Sequence, residues 1–123
     1  MEERDHAMMM RKYLIDSGIR VTFDKIEKPD KTFDNHLAPL EAGLEHERYV
    51  TSLVLKIYKA ADEAQDYKTM QFLDWFVKEQ GEEEKNAEDL IKKMKLYGGD
   101  GKGLYMLNQE LAARKYTAPS AAD

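Results

Sequence analysis

Apolar residues recur at steps of three and four along most of the chain, which is typical of amphipathic helices. The periodicity predicts helices over residues 1–17, 36–64 and 68–97, followed by a short helix over 104–116. It is lost over residues 18–35, which we expect to form an extended crossover. Gly18 stands where a helix commonly ends, and Pro39 stands where a first turn tolerates proline. The pattern therefore predicts an all-α fold with three long helices, in a single domain over residues 1–123.

The lengths of the connections restrict how these helices can be arranged. A helix over residues 36–64 would be about 40 Å long, whereas an 18-residue crossover can span at most about 60 Å. The crossover can therefore run the length of a bundle and leave the first two helices parallel. The short link after residue 64 requires the second and third helices to be antiparallel. One long crossover combined with one tight hairpin is typical of ferritin-like helical bundles.

Composition excludes several classes of function. The net charge of −5 and the pI of about 5.3 give no reason to expect a nucleic-acid partner. The chain has no cysteine, so disulfides and thiolate metal sites are excluded, and a reducing cytoplasmic location is expected. No run approaches the roughly 20 apolar residues of a membrane span, so no membrane partner is expected.

Polar residues interrupt the apolar stripes at a few positions. In the third helix Gln80 and Glu83 stand where core residues are expected, and in the second helix Glu47 does so. In the first helix Glu3 and His6 both fall on the predicted inward face. A carboxylate buried alone costs several kcal/mol or more, and several together repel one another unless a cation binds between them. The convergence of such residues from three helices predicts a metal site.

The residue types restrict the choice of metal. Glu3 and His6 are three residues apart, share one helical face and can reach one ion together. Carboxylates with imidazole, and no sulfur, suit iron, manganese or zinc. An E-x-x-H motif inside a bundle core is typical of di-iron carboxylate proteins. E-x-x-H is also common by chance in charged helices, and Glu82, Glu84, Lys85 and Glu88 are expected to form a solvated face.

Four segments resemble a known family. Residues 2–9, EERDHAMM, are similar to the start of the second helix of bacterial non-haem ferritins, particularly the actinobacterial type. Residues 72–83, FLDWFVKEQGEE, resemble the fourth helix of that family, and residues 46–48, HER, fall where its third helix has a glutamate. Residues 103–105 resemble the entry to its short C-terminal helix. The resemblance implies a subunit that oxidises Fe²⁺ with O₂ or H₂O₂ and stores the Fe³⁺ in a protein shell.

The resemblance also assigns site residues. It implies that Glu3 and His6 bind one iron, that Glu3 bridges to a second iron held by Glu47 and Glu83, and that Gln80 lies close by. Matching acidic positions imply an accessory third iron site, formed by Glu2, Glu79 and Glu82. No haem is expected, because Arg4 and Asp5 occupy the positions between the Glu and the His where bacterioferritin has its haem-ligating methionine. A rubrerythrin is excluded by the lack of cysteine.

The chain departs from this family at its start. The first long helix of the family, which supplies one more iron-binding glutamate, has no counterpart before the E-x-x-H motif. Without it the inward faces of two helices would be open to water, so we expect a homo-oligomer, either a dimer or a larger assembly such as the family's cage. Two functions therefore remain open: iron storage with ferroxidase activity, or a truncated, catalytically weak subunit that acts through dimerisation or assembly.

Overall fold

The computed structural model describes residues 2–115, and among these residues it contains four helices and no β-strand. The helices are α1 (Glu2–Asp16), α2 (Ala38–Glu63), α3 (Tyr67–Tyr97) and α4 (Gly101–Ala112). The all-α prediction is confirmed, and the three long helices lie within two residues of their predicted bounds. No helix among residues 2–115 is long and apolar enough to span a membrane.

The chain divides into two compact units. The first unit extends from the N-terminus through Lys31 and includes a C-terminal part that begins at Glu110, and the second comprises Thr32–Gln109. The first contains α1, whereas the second contains α2, α3 and most of α4. The single domain over residues 1–123 stays a prediction.

The first unit begins with α1, which ends as the sequence predicts. Gly18 has a φ of 72°, and its N–H donates to the carbonyl of Ile15 at 2.9 Å. The N–H of Ile19 donates to the carbonyl of Leu14, also at 2.9 Å. These bonds form a Schellman motif, in which glycine takes the left-handed position at no steric cost. Residues 19–33 follow without helix or strand, as expected for the crossover.

In the second unit, α2 and α3 form an antiparallel hairpin. Three pairs of side chains join them in order along their length: Tyr58 with Asp74 at 3.0 Å, Thr51 with Glu84 at 2.6 Å, and Lys95 with Glu41 at 3.2 Å. The residue numbers of these contacts decrease along α2 as they increase along α3. The two helices are therefore antiparallel, as predicted. Among residues 2–115, the buried apolar side chains lie in this unit and are contributed by α2, α3 and α4: Val54, Ala61, Leu73, Phe76, Ile91 and Leu107.

The side chains of Asn35 and Asp66 accept from backbone N–H groups at the starts of the two hairpin helices, and Asp66 is the N-cap of α3. The side chain of Asn35 accepts from the N–H groups of Leu37 and Ala38, both at 2.9 Å, immediately before α2. Asp66 accepts from the Thr69 hydroxyl and from the backbone N–H of Thr69 at 3.0 Å. The hydroxyl first, and then the N–H, hold the pKa of Asp66 below its ordinary value. Both side chains satisfy N–H groups that have no partner within the helix.

The short helix α4 differs from the prediction at both ends. It begins at Gly101, three residues earlier than predicted, because Asp100 caps it by accepting from the N–H of Gly103 at 2.8 Å. It ends at Ala112, whereas the sequence predicted residue 116, which lies outside the described residues. Gly98, Gly99 and Gly101 predicted the end of α3, but the same short segment also contains the start of α4. Gly103 is required there because a Cβ at this position would overlap the carbonyl oxygen of Tyr97.

Candidate metal centre

Gln80 and Glu47 face each other across the α2–α3 hairpin. Gln80 is 5% exposed, although it is polar, and its Nε2 lies 3.3 Å from Oε2 of Glu47 and 3.2 Å from the backbone oxygen of Glu47. Glu47 itself is half-buried. The structure therefore brings together two of the predicted site residues, and it confirms that Gln80 occupies a core position.

Thr51 and Glu84 extend this contact by one turn. The Thr51 hydroxyl donates to Oε1 of Glu84 at 2.6 Å and accepts from Nε2 of Gln80 at 3.3 Å. Sequence reasoning missed this link, since it placed Glu84 on a solvated face. That placement is wrong, because only 27% of the Glu84 side chain is exposed. A threonine on the inward stripe one turn after Glu47 was the available signal.

The remaining predicted residues of α3 lie along the same helix. Glu83 and Glu79 are half-buried. Glu82 is exposed and pairs with Lys78 at 4.0 Å, as expected for a solvated position. On that polar surface Lys85 donates to Asp89 at 2.8 Å, and the ion pair raises the pKa of Lys85 and lowers that of Asp89. These charged residues form the solvent-facing surface of α3. Of the acidic site residues predicted on this helix, Glu79 and Glu83 are therefore the two that are partly buried.

The first unit holds the E-x-x-H motif on α1. His6 is 8% exposed, whereas the Glu3 side chain is 74% exposed and Glu2 is half-buried. The predicted inward position is thus confirmed for His6 and wrong for Glu3. Glu3 lies in the first turn of α1, at the N-terminal end of the helix.

Glu3 and His6 are nevertheless close enough to share an ion. Nδ1 of His6 lies 3.7 Å from Oε2 of Glu3. Two donor atoms at that separation can both lie about 2.1 Å from one metal, with an angle of about 120° at the metal. Carboxylate oxygen and imidazole nitrogen are suitable donors for Fe²⁺. The donor chemistry therefore fits iron, although no group of three acidic or histidine side chains among residues 2–115 is arranged to hold a metal.

Comparison with known proteins shows the family to which this chain belongs. The ferritin-like domain of the ferritin family matches residues 1–97. The chain belongs to the ferritin family. A bacterial non-heme ferritin from Campylobacter jejuni is 34% identical over 108 residues, which cover 88% of this chain and 65% of that protein. Another from Staphylococcus epidermidis is 36% identical over 115 residues, covering 94% of this chain and 69% of the relative.

Solved ferritin structures share the fold. A humanized archaeal ferritin superposes with a TM-score of 0.88 at 38% identity, covering 91% of this chain and 68% of that chain. An open-pore ferritin from Archaeoglobus fulgidus gives a TM-score of 0.87 at 37% identity, covering 89% and 68%. The ferritin-like helical bundle predicted from the sequence is thus confirmed. The chain spans 65% of the length of the Campylobacter relative, which is slightly less than two thirds.

Proposed function

We propose that this ferritin-family chain is an iron-storage subunit that oxidises Fe²⁺ to Fe³⁺ and delivers it to a mineral in a protein shell. The observation that supports this most strongly is the buried Gln80 facing the half-buried Glu47, because packing two helices together would be served as well by apolar residues on this stripe. Membership of the ferritin family supplies the matching substrate, which is iron.

The site residues have distinct roles in this proposal. Glu3 and His6 bind one Fe²⁺, Glu3 bridges to a second Fe²⁺, and Glu47 with Glu83 binds that second ion. Gln80 adjoins it, and Glu2, Glu79 and Glu82 form an accessory site. Two Fe²⁺ ions lose one electron each, and the two electrons, together with two protons from solvent, reduce O₂ to H₂O₂ or H₂O₂ to two water molecules. The carboxylates stabilise the higher charge of the Fe³⁺ that results. The proposal includes no haem, because Arg4 and Asp5 stand where a haem-ligating methionine would be expected.

One observation favours a second candidate function. The Glu3 side chain, which the proposal assigns to both iron ions, is 74% exposed. This exposure is consistent with a catalytically weak subunit that oxidises iron slowly and acts through dimerisation or assembly. Calorimetry with Fe²⁺ under anaerobic conditions separates the two, since only the first candidate requires stoichiometric binding. Light scattering tests the shared expectation of a homo-oligomer, and a strictly monomeric species would refute it.

Removal of one carboxylate tests the ferroxidase proposal. Glu83→Ala should abolish the rapid phase of Fe²⁺ oxidation, followed by absorbance of the ferric product, with helix content by circular dichroism unchanged. Glu63→Ala is the matched control, because this residue is an exposed glutamate near the end of α2 that pairs with Lys59 at 3.8 Å. Oxidation by Glu83→Ala at the rate of the unmodified protein would refute the site assignment.

A further inference from the structure

Two side chains outside the predicted ligand set contact it through hydrogen bonds. Thr51 on α2 and Glu84 on α3 are joined at 2.6 Å, and Thr51 contacts Nε2 of Gln80 at 3.3 Å. We propose that Thr51 and Glu84 are positioning residues: they hold the Gln80 amide so that its nitrogen faces Glu47 and fixes the carboxylate that would bind iron. The expected effect on iron binding rests on the proposed function, whereas the hydrogen bonds among Thr51, Glu84 and Gln80 do not depend on it.

The number of protons that each group carries determines which group donates in the hydrogen bonds of Thr51. An ionised Glu84 can only accept, so the single proton of the Thr51 hydroxyl is directed to it. Gln80 therefore meets the lone pairs of Thr51, and the other two atoms near its Nε2 are acceptors as well, the backbone oxygen and Oε2 of Glu47. Because all three neighbouring atoms are acceptors, the NH₂ group of the Gln80 amide must face them, and its carbonyl oxygen must point away.

Glu84 matters because a helical threonine has an alternative partner. Threonine hydroxyls in helices often donate to the carbonyl four residues earlier, which for Thr51 is the backbone oxygen of Glu47. That oxygen is the atom to which Gln80 donates at 3.2 Å. By accepting the hydroxyl proton, Glu84 keeps Thr51 from competing with Gln80 for it.

Arg48 holds Glu84 from its other side. Nε of Arg48 lies 3.8 Å from Oε2 of Glu84, and its Nη2 lies 2.9 Å from Oε1 of Glu88. The Glu84 carboxylate is thus fixed between a cation and a hydroxyl, with 27% of its side chain exposed. Glu88 shares the cation, but no described hydrogen bond joins it to Thr51, so it is the natural control for the loss of a charge.

Metal-free crystal structures of variants test the positioning directly. Thr51→Val keeps the shape and removes the hydroxyl, and Glu84→Ala removes its acceptor. In both we expect the Glu47 carboxylate to leave Gln80 or to split into two conformers, whereas Thr51→Ser should retain the single contact. Ser52→Ala and Glu88→Ala are controls, since the Ser52 hydroxyl bonds only to the backbone of Tyr49 in the described contacts, at 2.6 Å. An unchanged Gln80–Glu47 contact in Thr51→Val would overturn the proposal.

Calorimetry with Fe²⁺ alone, under anaerobic conditions, tests the consequence. Loss of a partner that orients a ligand typically weakens metal binding by about 10- to 100-fold. We expect about tenfold weaker binding for Thr51→Val and Glu84→Ala, restoration by Thr51→Ser, and changes below about twofold for both controls. Equal affinity in Thr51→Val and the unmodified protein would contradict the positioning role. Absence of binding in the unmodified protein would instead refute the proposed function, and the crystal structures would still decide the positioning.

Discussion

The side-chain amide of Gln80 lies 3.3 Å from the carboxylate of Glu47, Nε2 to Oε2, at a position where the sequence otherwise places core residues. The amide is a neutral donor beside an acceptor that carries a charge when ionised, so the pair is compatible with burial. If a second carboxylate replaced the amide donor, the attraction between the two side chains would become a repulsion.

Gln80→Glu should destabilise the protein at pH 7, because two carboxylates would then meet at hydrogen-bond distance and raise each other's pKa. We expect a loss of about 2 kcal/mol in the free energy of unfolding. A raised folded-state pKa means that the folded protein binds more protons, so the loss should diminish as the pH falls towards 4. Urea denaturation at several pH values measures this. Gln80→Met is the control: it removes the donor without adding charge, and it should show little of this pH dependence.

Leu73 is the most deeply buried apolar side chain of the hairpin, at 2% exposure. Leu73→Ala should lower the free energy of unfolding by about 2–5 kcal/mol, because it leaves a cavity in the core formed by α2, α3 and α4. Val77, one turn further along α3, is 38% exposed, and Val77→Ala should cost less than about 1 kcal/mol. Chemical denaturation compares the two variants, and equal losses would show that the core lies elsewhere.

Asp66 should make the stability of α3 depend on pH in acid. Its bonds from Thr69 lower its folded-state pKa below the ordinary 3.8, so its contribution is present above that value and is lost as the pH falls through the lower folded pKa. Asp66→Asn keeps an acceptor that does not titrate. The melting temperature of the unmodified protein should therefore fall more steeply below about pH 4 than that of the variant. Parallel curves would contradict the cap.

Gln65 ends α2 in a left-handed conformation, with a φ of 54°. Its N–H donates to the carbonyl of Asp62, and that of Asp66 donates to Ala61, both at 2.9 Å. Only glycine adopts this conformation without steric cost, so Gln65→Gly should stabilise the protein by roughly 0.5–1 kcal/mol. Gln65→Ala should give no comparable gain. Thermal denaturation of both variants checks the difference. A lower stability of Gln65→Gly than of the unmodified protein would show that the backbone at this position is not strained.

The sequence predicts the helices well because helical periodicity, Gly18 and Pro39 are local signals. The same periodicity identifies Gln80 as a buried polar residue. It could not identify Glu84, because the environment of that side chain depends on Thr51, 33 positions earlier and on the facing helix. The start of α4 was missed because Asp100 lies among glycines that more often end a helix, and the exposure of Glu3 follows from its place in the first turn of α1.

Iron binding and oxidation within an assembly is the function that we propose for this ferritin-family chain. Sedimentation of the protein with and without added Fe²⁺, followed by the absorbance of the ferric product, is the decisive measurement. We expect an oligomer whose sedimenting boundary carries the ferric absorbance, formed faster than in protein-free buffer. Ferric product that forms at the buffer rate and sediments apart from the protein would refute the proposed function.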